Sequence, residues 1–358
     1  MFWFKKGPKV NLEALGVIPD PRPQGEKVRD FQAEEIAMFA PFEWKEKPES
    51  RWRKYPIFDQ DGSSSCLANA TAKVLGIENV LEEGKFVFYS PRDIYSRRKN
   101  FPSQGMWFQD AMDIAYRYGA TLEQLMPSMG KNEELMNESD DRKTIDQQIA
   151  LVGKAGNYLW VPVDIDKIAS IIEPMGRGIV LGVRFGPNEW GREIPVILCS
   201  QTPYHHGIAA TNAFLYNSKK AILIEDSWGI NSGIQGRRIV TEEWFAAGRI
   251  SAALQFTELK NTWRDTETVL PVPKYEFKKD LFFGMDRDID VEKLQIILQY
   301  EELFPQNAIS SGIYGPITAR GIYQLQTKYQ VASPEEIEAL QGKRVGPKTR
   351  EFLNRKYA

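Results

Sequence analysis

The pattern of apolar and polar positions divides the chain into a helix-rich first half, a strand-rich second half and a helical tail. An extended apolar piece, Pro56-Ile57-Phe58, leads into a Gly/Ser-rich turn over 62–65, and the Ala-rich segment from Cys66 then reads as a helix. Ser64 or Ser65 caps its start and Gly76 is its expected stop. Ser90 followed by Pro91 predicts a second helix, with a serine cap and a proline in the first turn. Phe108, Ala111, Met112, Ala115 and Tyr118 share one helical face that Gly119 closes. The polar stretch 128–156, with its charges centred on 137–143, predicts a solvated loop rather than a catalytic pair of carboxylates. Helical spacing returns over 166–174, while the β-branched run 178–185 and the run 221–225 predict strands. Helices first and strands after give an α+β fold class.

Before this body, residues 1–41 hold Pro8, Pro19, Pro21 and Pro23 and lack a sustained period. Only 30–39 could form an amphipathic turn or two, so the segment reads as an arm that packs on the body or on a partner. Behind the body, Pro271 and Pro273 mark a semi-rigid linker. Val291, Leu294, Ile297 and Leu298 then start a helical tail. Two further helices each begin with the same turn, Gly315-Pro316-Ile317-Thr318 and Gly346-Pro347-Lys348-Thr349, in which proline occupies the first helical position. The expected division is an arm at 1–41, a main domain at 42–260, a linker at 261–285 and a small all-α domain at 286–358.

Composition narrows the function classes. The 358 residues are 42% hydrophobic and 12% aromatic, the composition of a globular protein. A formal net charge of −2 and a pI near 6.0 give no electrostatic footprint for nucleic acid. Two cysteines, Cys66 and Cys199, make neither a disulfide framework nor a cysteine metal site. Adjacent His205 and His206 on a strand point to opposite faces, which argues against a shared metal. Asp286, Asp288 and Asp290 have the opening spacing of a calcium loop, but Val291 stands where that loop needs glycine. They read instead as acidic residues at a helix N-terminus. No metal or cofactor is expected. The opening Met1-Phe2-Trp3-Phe4 meets Lys5-Lys6 at once, so no secretory leader is predicted, and no later run is long enough to span a bilayer. Synthesis in the cytoplasm is expected, with any action outside the cell depending on another means of delivery.

The chemistry centres on Cys66. A thiol at a helix N-terminus feels the positive end of the helix dipole and unpaired N–H groups, and both favour the nucleophilic thiolate. Gln60, six residues earlier, can be turned back so that its amide and the Cys66 N–H form a two-donor oxyanion hole. The Gln60-to-Cys66 segment resembles that of the papain-type cysteine peptidases. Further on, His206 opens a small-residue run, and Asp226-Ser227-Trp228-Gly229 ends the next strand. Both are similar to the family's histidine strand and its Asn-Ser-Trp-Gly motif.

The resemblance implies a papain-like fold over about 42–260. It implies Cys66 as nucleophile, His206 as base and then acid, Asp226 as the group that orients His206, and Gln60 as oxyanion donor. On the substrate side it implies Gly105 and Met106 as the strand that pairs with substrate backbone, with Trp228 shielding the His206 contact from water. The chain departs from the family at three places: Ser63 replaces a disulfide cysteine, Leu67 replaces an aromatic residue, and Asp226 replaces the asparagine. That last change should raise the histidine pKa. The tail resembles the three-helix peptidoglycan-binding domain of cell-wall hydrolases, through Leu294-Gln295, Gly315-x-x-Thr318, Leu325-Gln326 and Gly346-x-x-Thr349. Together these imply a cysteine peptidase acting on protein or peptide, tethered to bacterial peptidoglycan, at the cell wall or in a phage virion whose proteins the N-terminal arm could contact. A non-catalytic attachment protein built on the same scaffold, and an amidase that cuts the glycan–peptide bond, are the rival readings.

Overall fold

A computed structural model describes residues 16–18, 39, 41–46, 51–137, 153–261, 272–304, 310 and 312–358. The expected amphipathic turns over 30–39 and the carboxylates of 138–141 lie almost wholly outside the described residues, as does the segment 262–271. The chain forms two compact units, 1–264 and 265–358.

The first unit begins with β1 (Val17–Ile18), α1 (Cys66–Glu83), α2 (Pro91–Ser96), β2 (Met106–Trp107), α3 (Phe108–Arg117) and α4 (Glu133–Met136). It continues with β3 (Lys154–Trp160), α5 (Ile165–Met175), β4 (Ile179–Phe185), β5 (Tyr204–Tyr216), β6 (Lys219–Glu225), β7 (Arg237–Thr241), α6 (Glu242–Ala246) and β8 (Ile250–Asn261). Six of the strands make one antiparallel sheet in the order β3-β8-β4-β5-β6-β7. The expected helices at 91, 108 and 166 and the strands at 178 and 221 are all present. Ser90 caps α2 by accepting from the Asp93 N–H, with Pro91 in the first turn. Leu181, Ile208, Ile222, Val240 and Trp244 supply much of the core around this sheet, and Ile168 and Ile172 of α5 close it.

The end of α1 differs from expectation. The helix runs through Gly76 and stops at Gly84, which takes the left-handed conformation (φ 72°) and donates its N–H to the Val80 carbonyl. Gly76 serves packing instead: a Cβ there would lie 2.7 Å from the Phe86 ring and from the Val87 carbonyl oxygen. Its missing side chain lets the returning strand of chain lie against the helix flank. The helix start also departs from a simple cap. Ser65 occupies the cap position without bonding a first-turn N–H. Its hydroxyl joins Ser63 Oγ at 2.7 Å and accepts from Asn69 Nδ2 at 2.9 Å.

The second unit packs α7 (Ile289–Tyr300), α8 (Pro316–Tyr329), α9 (Pro334–Leu340) and α10 (Pro347–Tyr357) with a short pairing of β9 (Leu281–Phe282) and β10 (Arg344–Val345). Three helices were expected; α9, capped by Ser333, is the addition. Phe277 and Leu281 are buried in this unit's core beside Leu294, Ile322 and Leu353. Asp288 caps α7 by accepting from the N–H groups of Asp290 and Val291, so the acidic cluster is a helix start. The two Gly-Pro-x-Thr turns have a common use. Gln295 Nε2 donates to Thr318 Oγ1 at 2.9 Å and to the Ile313 carbonyl. Gln326 Nε2 donates to Thr349 Oγ1, also at 2.9 Å, and to the Arg344 carbonyl. Each buried glutamine pins the turn that opens a helix, and the arrangement occurs twice.

Candidate active site

Helix α1 and strand β5 meet at the site. Gly207 makes the meeting possible, because a Cβ there would come within 2.8 Å of the Leu67 Cα. Leu67, where the papain-type family has an aromatic residue, is buried at this crossing. The close approach sets Cys66, at the N-terminus of α1, beside His206 on β5, and the Gly207 N–H donates to Cys66 Sγ at 3.4 Å. Asp226 follows β6, the neighbour of β5, and its Oδ1 lies 2.7 Å from His206 Nε2. The other ring nitrogen, Nδ1, is buried with no hydrogen-bond partner among the described residues, which leaves it as the nitrogen available to the Cys66 thiol. Cys66 and His206 are both fully buried.

The electrostatics run one way along this line. Burial pushes the Cys66 thiol up, but His206, by charge and by hydrogen bond, and the N–H groups of Gly207 and Gly16 outweigh it, so its pKa falls below the usual thiol range. Burial pushes His206 down, while Asp226 and the Cys66 thiolate pull it up to about 9. Asp226 is disfavoured as an anion by burial, yet His206, Arg238 and the Trp190 indole hold its carboxyl below the usual carboxylate range. The arrangement therefore favours thiolate, imidazolium and carboxylate together.

The remaining expected residues fall around this line. Gln60 is buried, its Oε1 accepting from Ser227 Oγ at 2.6 Å and its Nε2 donating to the Ser63 carbonyl at 2.5 Å. The Gln60 N–H also donates to the Ser227 carbonyl at 2.9 Å, so the loop before Cys66 is tied to the segment after Asp226. Trp228 stacks on the His206 ring, centroids 4.9 Å apart and planes 26° off parallel. Gly105 and Met106 divide their tasks. Gly105, with φ at 77°, donates its N–H to Tyr95 Oη and accepts from Asn100 Nδ2. Its backbone is thus already engaged, and Met106 alone of the two donates into the cleft. That N–H goes to the Gly16 carbonyl at 2.5 Å, and β2 pairs in parallel with β1. His205 faces the other way, towards Arg184, whose charge together with burial lowers its pKa.

The serine at position 63 is accommodated without a disulfide. Ser63 Oγ donates to the Gln60 carbonyl and shares a hydrogen bond with Ser65, which Asn69 completes. Both cysteines are free thiols.

Two residues that sequence reasoning did not find also touch the line. Trp190 donates its indole N–H to Asp226 Oδ2 at 3.0 Å, and Arg238 Nε donates to the same oxygen at 2.8 Å. The available signal was indirect: an aspartate where an asparagine would serve adds a buried charge, and a buried charge needs a partner.

Among the described residues, no group of three or more His, Cys, Asp or Glu is placed to hold a metal ion, and no helix is long and apolar enough to cross a membrane. No family model and no curated protein sequence matches the chain. Among solved structures it is similar to xylellain, a cysteine protease from Xylella fastidiosa, at 19% identity and a TM-score of 0.54, over 74% of this chain and 100% of that one. It is similar to the procathepsin L2 proteinase of Tenebrio molitor larval midgut at 15% identity and a TM-score of 0.54, over 70% of this chain and 81% of that one. The proform of the ragweed cysteine protease Amb a 11 aligns at 16% identity and a TM-score of 0.52, over 70% and 75% of the two chains. These likenesses establish a papain-like α+β fold.

Proposed function

We propose that the chain is a papain-like cysteine peptidase that cuts peptide bonds through Cys66, His206 and Asp226. The observation that carries this is the buried line from thiol to imidazole to carboxylate, with its 2.7 Å His206–Asp226 contact and its thiolate-favouring charge. In this reading the Cys66 thiolate attacks the carbonyl carbon and the carbonyl electron pair moves to oxygen. The Cys66 N–H and the Gln60 amide hold that oxyanion. The tetrahedral adduct collapses, His206 gives its proton to the departing amine, and a thioester remains. Water then attacks the thioester, His206 takes its proton, and the acid leaves as the thiolate is restored. Asp226 keeps the imidazole oriented, and Trp228 screens that contact from solvent.

The segment 16–18 bears on how the site opens. It covers the Met106 N–H and places the Gly16 N–H on the thiol, and Cys66 has no exposed surface. We read this as a closed form, in which substrate enters only when the segment leaves. The second unit we take to be a wall-binding module that raises the local concentration of enzyme at peptidoglycan. The paired Gln–Thr clasps at the family-like positions support that part, and a phage-borne or lysis role is the delivery route we favour.

The test is intact mass after brief exposure to an electrophilic peptidase inhibitor. Single labelling is expected in the wild type, none in Cys66→Ala, and labelling slowed by about 10²-fold or more in His206→Ala, the usual scale of acid–base assistance. Labelling no faster than a free thiol, and indifferent to His206, would leave a non-catalytic scaffold. Product analysis on purified sacculi separates the amidase alternative, which frees whole stem peptides.

A further inference from the structure

An aspartate beside the histidine creates an electrostatic problem that the sequence around it does not solve. Asp226 is almost fully buried, and His206 can neutralise it only while protonated. Strand β7 supplies a permanent cation. It pairs with β6 so that Arg238 stands opposite Ile224, two residues before Asp226. The guanidinium reaches Asp226 Oδ2 through Nε at 2.8 Å, while Oδ1 is left to His206 and the Ser227 N–H. The rest of the group is fully held. Nη1 donates to the Arg192 carbonyl and Nη2 to Ser232 Oγ, both at 2.7 Å. The plane lies over the rings of Trp228 and Trp190, at 5.4 and 5.8 Å. A cation fixed on five contacts, with its side chain 2% exposed, is placed rather than incidental.

We propose that Arg238 is a positioning residue for His206: it balances Asp226 from the side opposite the imidazole and so sets the pH range over which the Cys66–His206 pair holds its proton. With Arg238 present, thiolate, imidazolium, carboxylate and guanidinium sum to zero. Without it, His206 would be the sole counter-charge to a buried carboxylate and would hold its proton more tightly. The other charged groups near the site have partners of their own within the fold. Lys73 and Arg237 pair with Glu225, Arg249 pairs with Glu189, and His205 faces Arg184 away from Asp226. Arg192 offers Arg238 only its carbonyl.

The chain has only two histidines, so ring-labelled histidine gives two NMR titrations, assigned with His205→Gln. The His206 midpoint is expected to rise by about one pH unit or more in Arg238→Met, the scale of a lost neighbouring charge. Arg238→Lys should restore most of the wild-type value. A second pair covers the case in which Arg238→Met does not fold. Asp226→Asn should lower the midpoint, and Asp226→Asn with Arg238→Met should raise it again, because an unmatched guanidinium then no longer repels the imidazolium. Equal midpoints within either pair would make Arg238 a packing residue and overturn the proposal. The proposal rests on the peptidase reading only in calling His206 the base. The titration reads the ring whether or not the protein cuts peptides, and Cys66 labelling decides the other question.

Discussion

At the scale of single residues, the His206–Asp226 contact converts a departure from the family pattern into a pH range. Attack by an anionic reagent such as iodoacetate needs the thiolate and gains from the imidazolium beside it. Its rate should rise below the usual thiol range, because the Cys66 pKa is lowered, and fall as His206 loses its proton near pH 9. The same shift has a sign for folding. A histidine whose pKa is raised from about 6.5 to about 9 stabilises the fold fully below the lower value, and that contribution is lost as pH rises through the upper one. A rate profile flat across pH 9 would remove the imidazolium from the account. Cys66, His206 and Asp226 were legible in the sequence because each sits in a short motif whose chemistry is local. Arg238 and Trp190 were not, since they reach Asp226 from separations of 12 and 36 residues with no spacing to betray them.

At the scale of elements, the site depends on how closely α1 and β5 approach. Gly207→Ala would press a methyl group to within 2.8 Å of the Leu67 Cα, a backbone neighbour that cannot rotate away. A destabilisation of ~1–3 kcal/mol is expected for such overpacking, read by urea unfolding, together with slower labelling of Cys66 as the thiol moves from His206. Wild-type labelling in a destabilised variant would show that the crossing supports the fold but not the pair. Helical spacing found α3 and α5 because each buries one face, while β4 and β6 were found as apolar runs, β4 being buried on both of its faces. The end of α1 was misplaced because Gly76 looked like a stop, and only the Phe86 ring across the helix shows why a glycine is needed there. The short helix α9 was missed for a related reason: about two turns is too short to display a period.

At the scale of the whole molecule, access to Cys66 in the reading proposed above turns on the segment 16–18. Gly16 sits so tightly that a Cβ would lie 1.7 Å from the Ser64 carbonyl oxygen. Gly16→Ala should therefore lift the segment from the cleft and speed Cys66 labelling, by roughly 5- to 150-fold if the clash costs ~1–3 kcal/mol. Unchanged labelling would mean that the segment does not limit access. An arm packing on the body or on a partner was expected of residues 1–41, but not where 16–18 would lie, because a three-residue stretch of backbone pairing leaves no pattern in the side chains. The tail was more legible: the two echoed turns marked its helix starts, and the glutamines that clasp them were already visible beside Leu294 and Leu325.

The serine and asparagine hydroxyl–amide network that closes the loop before Cys66 has a consequence for how the protein meets oxidants and reductants. A loop closed by a disulfide loosens when that bond is reduced, so one reagent alters both scaffold and nucleophile. Here Ser63, Ser65 and Asn69 hold the loop with bonds that no reductant cleaves. Redox chemistry is thereby confined to the thiols themselves. The framework that aims the nucleophile is therefore the same under reducing and oxidising conditions, and among the cysteines only the sulfurs of Cys66 and Cys199 respond to the change.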